Sequence, residues 1–498
     1  MNEPKTAAPT GHRRRAAVAL AALAVVLTAG GFVVAQRRGA GEPLRAYGVA
    51  APRSLVGDAE NSPELATKDA WDAAAREGGD RPNVVMITLE SVGANRVGYL
   101  GYPRDVTPNL DRIAAESLVL SRAYTTATHS NYAQMAILSS LFPRRGTTLD
   151  MYGRLDYPRF LMHDVAFGLG YTTATISSQD ESWQGMLRFQ TTETPTYYKH
   201  SPDFTGEHLD LISEDIAPDH ATADAIVKWV HENRAKRFSL YVNFQSTHFP
   251  YPIPKDAPRP FVPDEPKKTF NFVDWDESEL GTIQNRYDDA LHYVDIQVGR
   301  IFDELEADGL LESTILVVTA DHGENFFDHD IVTHGRTLFD TEARVPFLIH
   351  YPRMLAPERV DKAVSTLDAV PTIIDLMGLP PHPAHQGESV RWLGLPGAER
   401  RAAIFMNIQG WKHLDGIVCM PYKLVFDPEE KTTSLYDLER DPKEAHDVAA
   451  DNPRVVAALR SVLFSQIEAQ QRYHQNSDAG KARRAARFAP NMLPCPKL

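Results

Sequence analysis

The sequence predicts an α/β fold with a mostly parallel central sheet sandwiched by helices. Short apolar runs typical of buried parallel strands recur through the middle of the chain. They lie at residues 83–89, 172–177, 238–244, 314–319 and 346–350. Helical patterns alternate with these runs, and strands that alternate with helices form largely parallel sheets covered on both faces.

One of the intervening helices shows a single apolar stripe. Its apolar residues recur at helical spacing and form one face. They are Ala290, Val294, Val298, Ile301 and Leu305. This helix leads through Gly309 into the run at 314–319, which completes a strand–helix–strand step.

The pattern changes after about residue 395. Four short strand candidates follow closely, at residues 402–406, 416–418, 422–426 and 433–436, and they predict a small antiparallel sheet. A helix is predicted over 453–473. The sequence therefore divides into a main domain over residues 81–395, a C-terminal subdomain over 396–474 and a basic, disordered tail over 475–498.

The N-terminus predicts the compartment. A basic segment over residues 1–15 precedes twenty uncharged residues, 16–35, which as a helix would be about 30 Å long and span a bilayer. Residues 16–35 are either a single-pass signal anchor or a signal peptide cut after Ala35. Residues 36–80 are predicted to be a juxtamembrane spacer. We expect the body of the protein outside the cell membrane, periplasmic or extracellular, or secreted if the segment is cleaved.

Composition and charge exclude several classes of protein. The chain has 498 residues, 43 % of them hydrophobic and 24 % charged, which is typical of a globular protein. Residues 1–53 carry eight Lys and Arg against two Glu, so their net charge is +6 and the rest carries −20 of the total −14. Such an acidic body repels polyanions, so no nucleic-acid partner is expected. Cys419 and Cys495 are the two cysteines; they either pair or remain free thiols.

Polar residues follow three of the predicted strands. Glu90 comes directly after the first strand, Asp321 and His322 follow the run at 314–319, and His248 follows the run at 238–244. Ligand sites of such sheets lie beyond the carboxyl ends of the strands, so these side chains should converge. Two carboxylates and an imidazole suit one divalent cation, with Mn²⁺, Mg²⁺, Ca²⁺ and Zn²⁺ left open.

Ser130 is predicted to stand where a loop becomes a helix. A serine there is ordinarily a helix cap. However, the positive end of the helix and its free N–H groups also suit an anionic tetrahedral group. A cation on its oxygen would make the alkoxide accessible near neutral pH.

The ordered motifs resemble the sulfatase-like branch of the alkaline phosphatase superfamily. The motifs, in chain order, are NVVMITLE (83–90), TPNLD (107–111), SNYAQMAILSSLFP (130–143), THFPY (247–251), YD (287–288), ADHGE (320–324), THG (333–335), RVP (344–346) and SLYDLERDP (434–442). The resemblance implies an ester hydrolase of this fold.

Three departures distinguish the chain from formylglycine-dependent sulfatases. Those enzymes carry a Cys or Ser in a Cys/Ser-x-Pro/Ala-x-Arg context, whereas residues 130–134 read Ser-Asn-Tyr-Ala-Gln. They carry two aspartates where this chain has Glu90-Ser91, and residues 176–180 lack their Gly-Lys-Trp-His stretch. The pattern is closer to the phosphoglycerol and phosphoethanolamine transferases, which are membrane-anchored and use an unmodified Thr or Ser.

The resulting hypothesis is metal-assisted displacement at phosphorus or sulfur. Glu90, Asp321 and His322 would hold the cation, with Ser130 as fourth ligand and as nucleophile that forms a covalent intermediate. His248 and His334 are candidates to bind the non-bridging oxygens or to protonate the leaving group.

Arg336 is a candidate for the fixed positive charge that would bind the substrate. The substrate is expected to be a phosphate or sulfate ester, lipid- or glycan-linked, and the chain would contact the membrane through residues 16–35. Three functions remain open: an exported ester hydrolase, a membrane-anchored transferase that modifies an envelope polymer, and an inactive envelope-binding protein. The C-terminal motif favours the hydrolase.

Overall fold

The computed structural model describes residue 73, residues 79–475 apart from 146–151, 154, 156, 158, 211–214, 396, 399, 401 and 411, and residues 492–498. Its strands are β1 (Asn83–Leu89), β2 (Leu118–Tyr124), β3 (Thr172–Ser177), β4 (Tyr197–Lys199), β5 (Leu209–Asp210), β6 (Asp215–Ile216), β7 (Phe238–Phe244), β8 (Phe270–Asn271), β9 (Asp274–Trp275), β10 (Thr314–Ala320), β11 (Asn325–Asp328), β12 (Ile331–Thr333), β13 (Arg344–Val345), β14 (Phe347–His350), β15 (Glu358–Ser365), β16 (Ile404–Ile408), β17 (Leu414–Cys419), β18 (Tyr422–Asp427) and β19 (Thr432–Asp437). Its α-helices are α1 (Pro108–Ala115), α2 (Ser130–Ser139), α3 (Met162–Gly168), α4 (Met186–Gln190), α5 (Asp219–Asn233), α6 (Leu280–Ala307), α7 (Asp340–Ala343), α8 (Ala369–Leu376) and α9 (Pro453–Gln475).

A nine-stranded sheet forms the centre of the main domain. Its strand order is β13-β2-β14-β10-β1-β7-β3-β4, and β15 also pairs with β2. Strands β10, β1, β7, β3 and β4 are parallel to one another, whereas β14 is antiparallel to both β10 and β2. The mostly parallel sheet is confirmed, with the difference that the run at 346–350 forms an antiparallel strand.

The middle of the sheet is buried on both faces. Every residue of β1, β7 and β10 is buried, so side chains on alternate faces are covered alike. The apolar stripe of α6 is also confirmed, because all five of its predicted residues are at most 1 % exposed. Parallel strands with continuous apolar runs therefore lie between helical layers, as the sequence predicts.

Strands β1, β7 and β10 end at the same level. Leu89, the last residue of β1, pairs with Ala320 at the end of β10 and with Phe244 at the end of β7. Residues that follow these three strands therefore start from adjacent points on one edge of the sheet.

The C-terminal subdomain is a four-stranded antiparallel sheet with one long helix. Its strand order is β16-β17-β18-β19, and α9 packs on it through a core that includes Leu459, Leu463 and Phe464. Cys419 at the end of β17 forms a disulfide with Cys495, whose Cα lies 5.6 Å away. The sequence left this pairing open, and the structure assigns it.

Residues 492–498 depart from the expected disordered tail over 475–498. Cys495 is bonded to β17, Leu493 N–H donates to Gln466 Oε1 at 3.1 Å, and Pro494 bridges to Ala402. These contacts hold the segment against the subdomain. The predicted segments 1–15 and 16–35, and almost all of 36–80, lie outside the described residues. Within the described part of the chain, no helix is both long and apolar enough to cross a membrane.

Candidate active site

Four of the predicted site residues start from the carboxyl edge of the sheet. Glu90 directly follows β1, Asp321 and His322 directly follow β10, and His248 lies in the loop after β7. Glu90, Asp321 and His322 are completely buried. Buried carboxylates and imidazoles require polar partners, and the site provides these from its own residues.

The loop after β10 is held by close backbone packing. A Cβ atom on Gly323 would lie 2.1 Å from the carbonyl oxygen of Thr341, so only glycine fits there. Gly323 N–H donates to the carbonyl oxygen of Glu342 at 2.7 Å. This packing fixes the direction in which the preceding Asp321 and His322 leave the strand.

Ser130 lies between a carboxylate and an imidazole. Its Oγ is 2.8 Å from Glu90 Oε1 and 3.1 Å from His322 Nε2, and the residue is 2 % exposed. His322 Nδ1 donates to the carbonyl oxygen of Gly323 at 3.0 Å, which leaves the lone pair of its Nε2 facing Ser130. Ser130 also begins α2, so its oxygen lies at the positive end of that helix.

Glu90 and Asp321 form a buried carboxylate pair. Gln134 Nε2 lies 3.0 Å from Glu90 Oε2 and 3.1 Å from Asp321 Oδ2 and donates to both. Burial raises the pKa of Glu90 well above its usual value, and the charge of Asp321 adds to the rise. Burial acts in the same direction on the pKa of Asp321, but His322 and hydrogen bonds outweigh it and lower that pKa. The pair therefore favours a positive partner.

The donor set fits a divalent cation. Carboxylate oxygens, a hydroxyl oxygen and one imidazole nitrogen are ligands that Mn²⁺, Mg²⁺, Ca²⁺ and Zn²⁺ accept to different degrees. Glu90, His322 and His334 also offer ligand atoms that all lie within 4.8 Å of one another. His334, which the sequence assigned to the substrate, is thus close to the predicted metal ligands.

Histidine rings surround His334. The ring centroid of His334 lies 4.3 Å from that of His322, 5.6 Å from that of His248 and 6.4 Å from that of His129. Burial lowers the pKa of His129 and of His248 to about 4, and it lowers the pKa of His334 well below its usual value. These three rings are therefore neutral at pH 7 and act as hydrogen-bond donors and acceptors.

Glu324 defines the tautomer of His334. Glu324 Oε1 lies 3.1 Å from His334 Nδ1, and Tyr251 donates its hydroxyl to Glu324 Oε2 at 3.1 Å. Burial raises the pKa of Glu324 well above its usual value, and the nearby Glu342 raises it further. Both effects favour the protonated form of Glu324. In that form Glu324 donates its proton to Nδ1, and His334 then carries its own proton on Nε2.

Arg336 lies beside His334 under the hairpin formed by β8 and β9. Its Nη2 donates to the carbonyl oxygen of Phe272 at 3.1 Å, and its charge contributes to the low pKa of His334. The Phe272 ring packs 5.1 Å from the His334 ring. The hairpin thus holds two of the three predicted substrate-binding residues, His334 and Arg336, in place.

Four site residues received no role from the sequence: His129, Gln134, Trp183 and Glu324. Gln134 stands four residues after Ser130, on the same face of α2, so helical spacing could have identified it. Glu324 belongs to the ADHGE motif, and His129 directly precedes Ser130. Trp183 stacks on His129 at 5.6 Å between ring centroids, from a 3₁₀ turn that no sequence pattern marks.

The fold and the donor set define an enzyme of the alkaline phosphatase superfamily. A profile described as Sulfatase matches residues 82–379, more than half of the chain, and one described as N-sulphoglucosamine sulphohydrolase, C-terminal, matches residues 325–472. The chain belongs to the sulfatase family, whose members are hydrolases that generally use a divalent metal ion.

Characterised relatives and solved structures agree with this assignment. The chain is 22 % identical to an arylsulfatase of Clostridium perfringens over 78 % of its own length and 95 % of the relative. It is 23 % identical to a Δ4,5-hexuronate-2-O-sulfatase of Bacteroides thetaiotaomicron, over 79 % and 90 % of the two chains. The phosphonate monoester hydrolase of Agrobacterium radiobacter shares its fold, with a TM-score of 0.61 at 19 % identity, over 80 % of this chain and 96 % of the other.

Proposed function

We propose that the chain hydrolyses a singly charged oxyanion ester, in first place a sulfate monoester, through a covalent intermediate on Ser130. The position of Ser130 Oγ, 2.8 Å from Glu90 Oε1 and 3.1 Å from His322 Nε2, carries this proposal. A sulfate ester is favoured because the curated relatives include an arylsulfatase and a hexuronate 2-O-sulfatase.

The charge of the site supports a monoanion. Glu90 and Asp321 would be offset by one divalent ion, and the imidazoles of His129, His248 and His334 are neutral. Glu324 in its protonated form adds no charge, and Arg336 then supplies one positive charge beside Glu342, whose pKa burial raises to about 7. A sulfate monoester or a phosphate diester carries one negative charge, whereas a phosphate monoester carries about two at pH 7.

Glu90, Asp321, His322 and Ser130 would hold the divalent cation, with its identity open among Mn²⁺, Mg²⁺, Ca²⁺ and Zn²⁺. When bound, such an ion lowers the pKa of a ligating hydroxyl and neutralises the charge that develops on non-bridging oxygens. Glu90 Oε1 orients the Ser130 hydroxyl by accepting its hydrogen bond.

The remaining side chains suit a two-step displacement. Ser130 passes its hydroxyl proton to Glu90 Oε1, and its Oγ forms a bond to sulfur while the bond from sulfur to the alcohol oxygen breaks. His334 passes its Nε2 proton to the departing oxygen and takes the Glu324 proton on Nδ1, so the product leaves as an alcohol. His248 donates from Nδ1 to the carbonyl oxygen of Phe249 at 2.7 Å, so its Nε2 is free to accept a proton from the attacking water. Water then displaces Oγ, which regains its proton from Glu90, and sulfate leaves. The proton that His248 has taken from water replaces the one that Glu324 gave up through His334.

Transfer of a phosphate diester group is the second candidate. It is favoured by the residues at positions 130–134, because they lack the Pro/Ala and the Arg of the formylglycine context. In that reaction an acceptor hydroxyl replaces water in the second step, and every residue named above keeps its role.

The test compares three aryl esters on the purified full chain. The metal-stripped protein is reloaded in turn with Mn²⁺, Mg²⁺, Ca²⁺ and Zn²⁺ and assayed with p-nitrophenyl sulfate, bis-p-nitrophenyl phosphate and p-nitrophenyl phosphate. We expect metal-dependent turnover of the sulfate ester, which Ser130→Ala lowers at least about 10³-fold. The matched control is Ser139→Ala, since Ser139 lies on the same helix, is equally buried and donates its hydroxyl to Met135 O at 2.6 Å.

Each other outcome assigns a different chemistry. Turnover of bis-p-nitrophenyl phosphate in which the phosphate group is transferred to an acceptor hydroxyl, and not to water, supports the transferase. Dominant turnover of p-nitrophenyl phosphate contradicts the charge argument, and a peptide mass that shows oxidised Ser130 contradicts the unmodified nucleophile. Absence of turnover of any ester despite bound metal favours a transferase that lacks its acceptor. Absence of both turnover and bound metal favours the inactive envelope-binding protein.

We further propose that the protein is exported and anchored by residues 16–35, with 36–80 as spacer, 81–395 as catalytic domain and 396–474 as subdomain. The Cys419–Cys495 disulfide supports export, because such bonds persist in oxidising compartments. Protease accessibility of the body in intact cells tests the orientation, and N-terminal sequencing of the mature protein tests cleavage. A body that resists the protease in intact cells and is digested only after the cell membrane is permeabilised would contradict export.

A further inference from the structure

Gln134 is the residue that joins the two predicted carboxylate ligands. It is completely buried, one helical turn after Ser130, and its Nε2 lies 3.0 Å from Glu90 Oε2 and 3.1 Å from Asp321 Oδ2. A primary amide has two N–H groups, so Gln134 gives one hydrogen to each carboxylate. The other oxygen of Glu90 stays directed at Ser130.

Asn243 locks the amide of Gln134 in this orientation. Asn243 is completely buried in β7, where it pairs with Thr88 of β1 and Ser177 of β3. Its Nδ2 donates to Gln134 Oε1 at 3.2 Å. A flipped Gln134 amide would set its carbonyl oxygen against both carboxylates and its NH₂ group against that of Asn243.

The same Asn243 amide is held from its far side. Its Nδ2 also lies 3.0 Å from Gln179 Oε1 and 3.3 Å from Glu181 Oε1, both buried. Three acceptors around one NH₂ group leave it a single orientation. Two amide side chains, those of Asn243 and Gln134, therefore link β7 and the segment after β3 to the two carboxylates by hydrogen bonds.

The neutrality of the Gln134 side chain matters as much as its geometry. Gln134 occupies the position at which the formylglycine context carries Arg. An arginine there would place a fixed positive charge against Glu90 and Asp321, whereas the neutral amide bridges the two carboxylates and leaves their negative charge for a cation.

We propose that Gln134, held by Asn243, is a positioning residue that sets the spacing of Glu90 and Asp321 and thereby strengthens binding of the divalent metal. This inference rests on the proposed function, because it takes those carboxylates as metal ligands. Residues that hydrogen-bond to metal ligands typically change metal affinity about 10- to 100-fold when they are removed.

The experiment measures Mn²⁺ affinity by electron paramagnetic resonance on the purified full chain, with no substrate present. We expect Gln134→Ala to raise the Mn²⁺ dissociation constant about 10- to 100-fold. Asn243→Ala should raise it less, because Gln134 keeps its own two bonds. The double variant should bind no more weakly than Gln134→Ala, since Asn243 acts through Gln134. Gln134→Arg should weaken binding most, because it adds a repelling charge.

Gln297→Ala is the matched control, because Gln297 is a buried glutamine on α6 that donates to Tyr293 O and is expected to leave Mn²⁺ affinity unchanged. If Gln134→Ala does not fold, as judged by near-ultraviolet circular dichroism, Asn243→Ala and Gln134→Arg carry the test.

Glu90→Gln separates this inference from the proposed function. Wild-type protein that binds no Mn²⁺, or binds it equally well as Glu90→Gln, overturns the metal site itself. Wild-type affinity in Gln134→Ala and Gln134→Arg, with binding lost in Glu90→Gln, overturns only the role of Gln134. Additive effects of the Gln134 and Asn243 changes overturn the link between them.

Discussion

His334 has two chemically distinct roles open to it, and a single hydrogen atom selects between them. A lone pair on Nε2 would make it a metal ligand beside Glu90 and His322, whose donor atoms lie within 4.8 Å. A proton on Nε2 makes it a donor to the substrate. The raised pKa of Glu324 favours the donor, because the protonated carboxyl group gives its hydrogen to Nδ1.

We therefore predict that His334→Ala lowers kcat/KM by about 10²- to 10³-fold, as expected for loss of one transition-state donor, and leaves the Mn²⁺ dissociation constant unchanged. The measurements are steady-state kinetics and Mn²⁺ titration of the same preparation. Glu324→Gln is the control, since its amide can still donate to Nδ1. A marked rise in the Mn²⁺ dissociation constant of His334→Ala would make His334 a ligand instead.

At the scale of elements, α7 ties the segment that carries His334 and Arg336 to the C-terminal subdomain. Lys423 of β18 is fully buried, and its Nζ lies 2.6 Å from Asp340 Oδ1, 2.6 Å from Glu444 Oε1 and 2.8 Å from the carbonyl oxygen of Leu338. Asp340 begins α7, four residues after Arg336. The subdomain thus fixes the segment that carries Arg336, the arginine predicted to bind the substrate.

Replacing Lys423 should disturb stability and substrate binding together. Lys423→Met leaves the buried Glu444 and the partly buried Asp340 without their counter-charge, and removal of one partner from a buried ionic cluster costs about 3–5 kcal/mol. We expect that loss in urea unfolding, with a raised KM in the folded protein. Lys412→Met removes the half-exposed Lys412 from Asp427, which still accepts from the N–H groups of Glu429 and Glu430, and should cost less than about 1 kcal/mol. Equal losses in the two variants would contradict the prediction.

The strands of the central sheet that the sequence predicted correctly are strands whose residues are almost all buried. The strands β1, β7 and β10 are largely apolar and β3 is rich in buried threonine, and the polar residues after β1, β7 and β10 mark the site. Strand β2 was not predicted because Ser121 and Arg122 interrupt its apolar run. Strand β15 is charged and mostly exposed over its first half, so it lacks the expected pattern.

The site itself was only partly predictable. The sequence could place Glu90, Asp321 and His322 because they directly follow strands that their apolar runs predict. The bonds of Gln134 to Asp321 and of Glu324 to His334 depend on rotamers and on elements far apart in sequence, which no local pattern encodes.

At the scale of the whole molecule, the Cys419–Cys495 disulfide joins β17 to residues 492–498 across 76 residues. The closed loop contains β18, β19 and α9, which form most of the C-terminal subdomain. A cross-link that closes such a loop restricts the unfolded chain more than the folded one.

We predict that Cys419→Ser combined with Cys495→Ser lowers the free energy of unfolding of the subdomain by about 4 kcal/mol. Thermal unfolding followed by circular dichroism measures the loss. Wild-type protein should shift to the lower transition in dithiothreitol, whereas the double variant should not respond to the reductant. Equal transition temperatures for oxidised wild type and the double variant would contradict the prediction.

The order of the central sheet has a consequence for synthesis. Glu90 and Asp321 meet only because β1 pairs with β10, and these strands are separated by most of the main domain. A ribosome that has finished β1, α2 and β7 has made Glu90, Ser130 and Gln134 but neither Asp321 nor His322. If the chain is exported before it folds, as proposed above, its donor atoms arrive still apart, and a metal ion would enter only in the compartment in which the sheet closes.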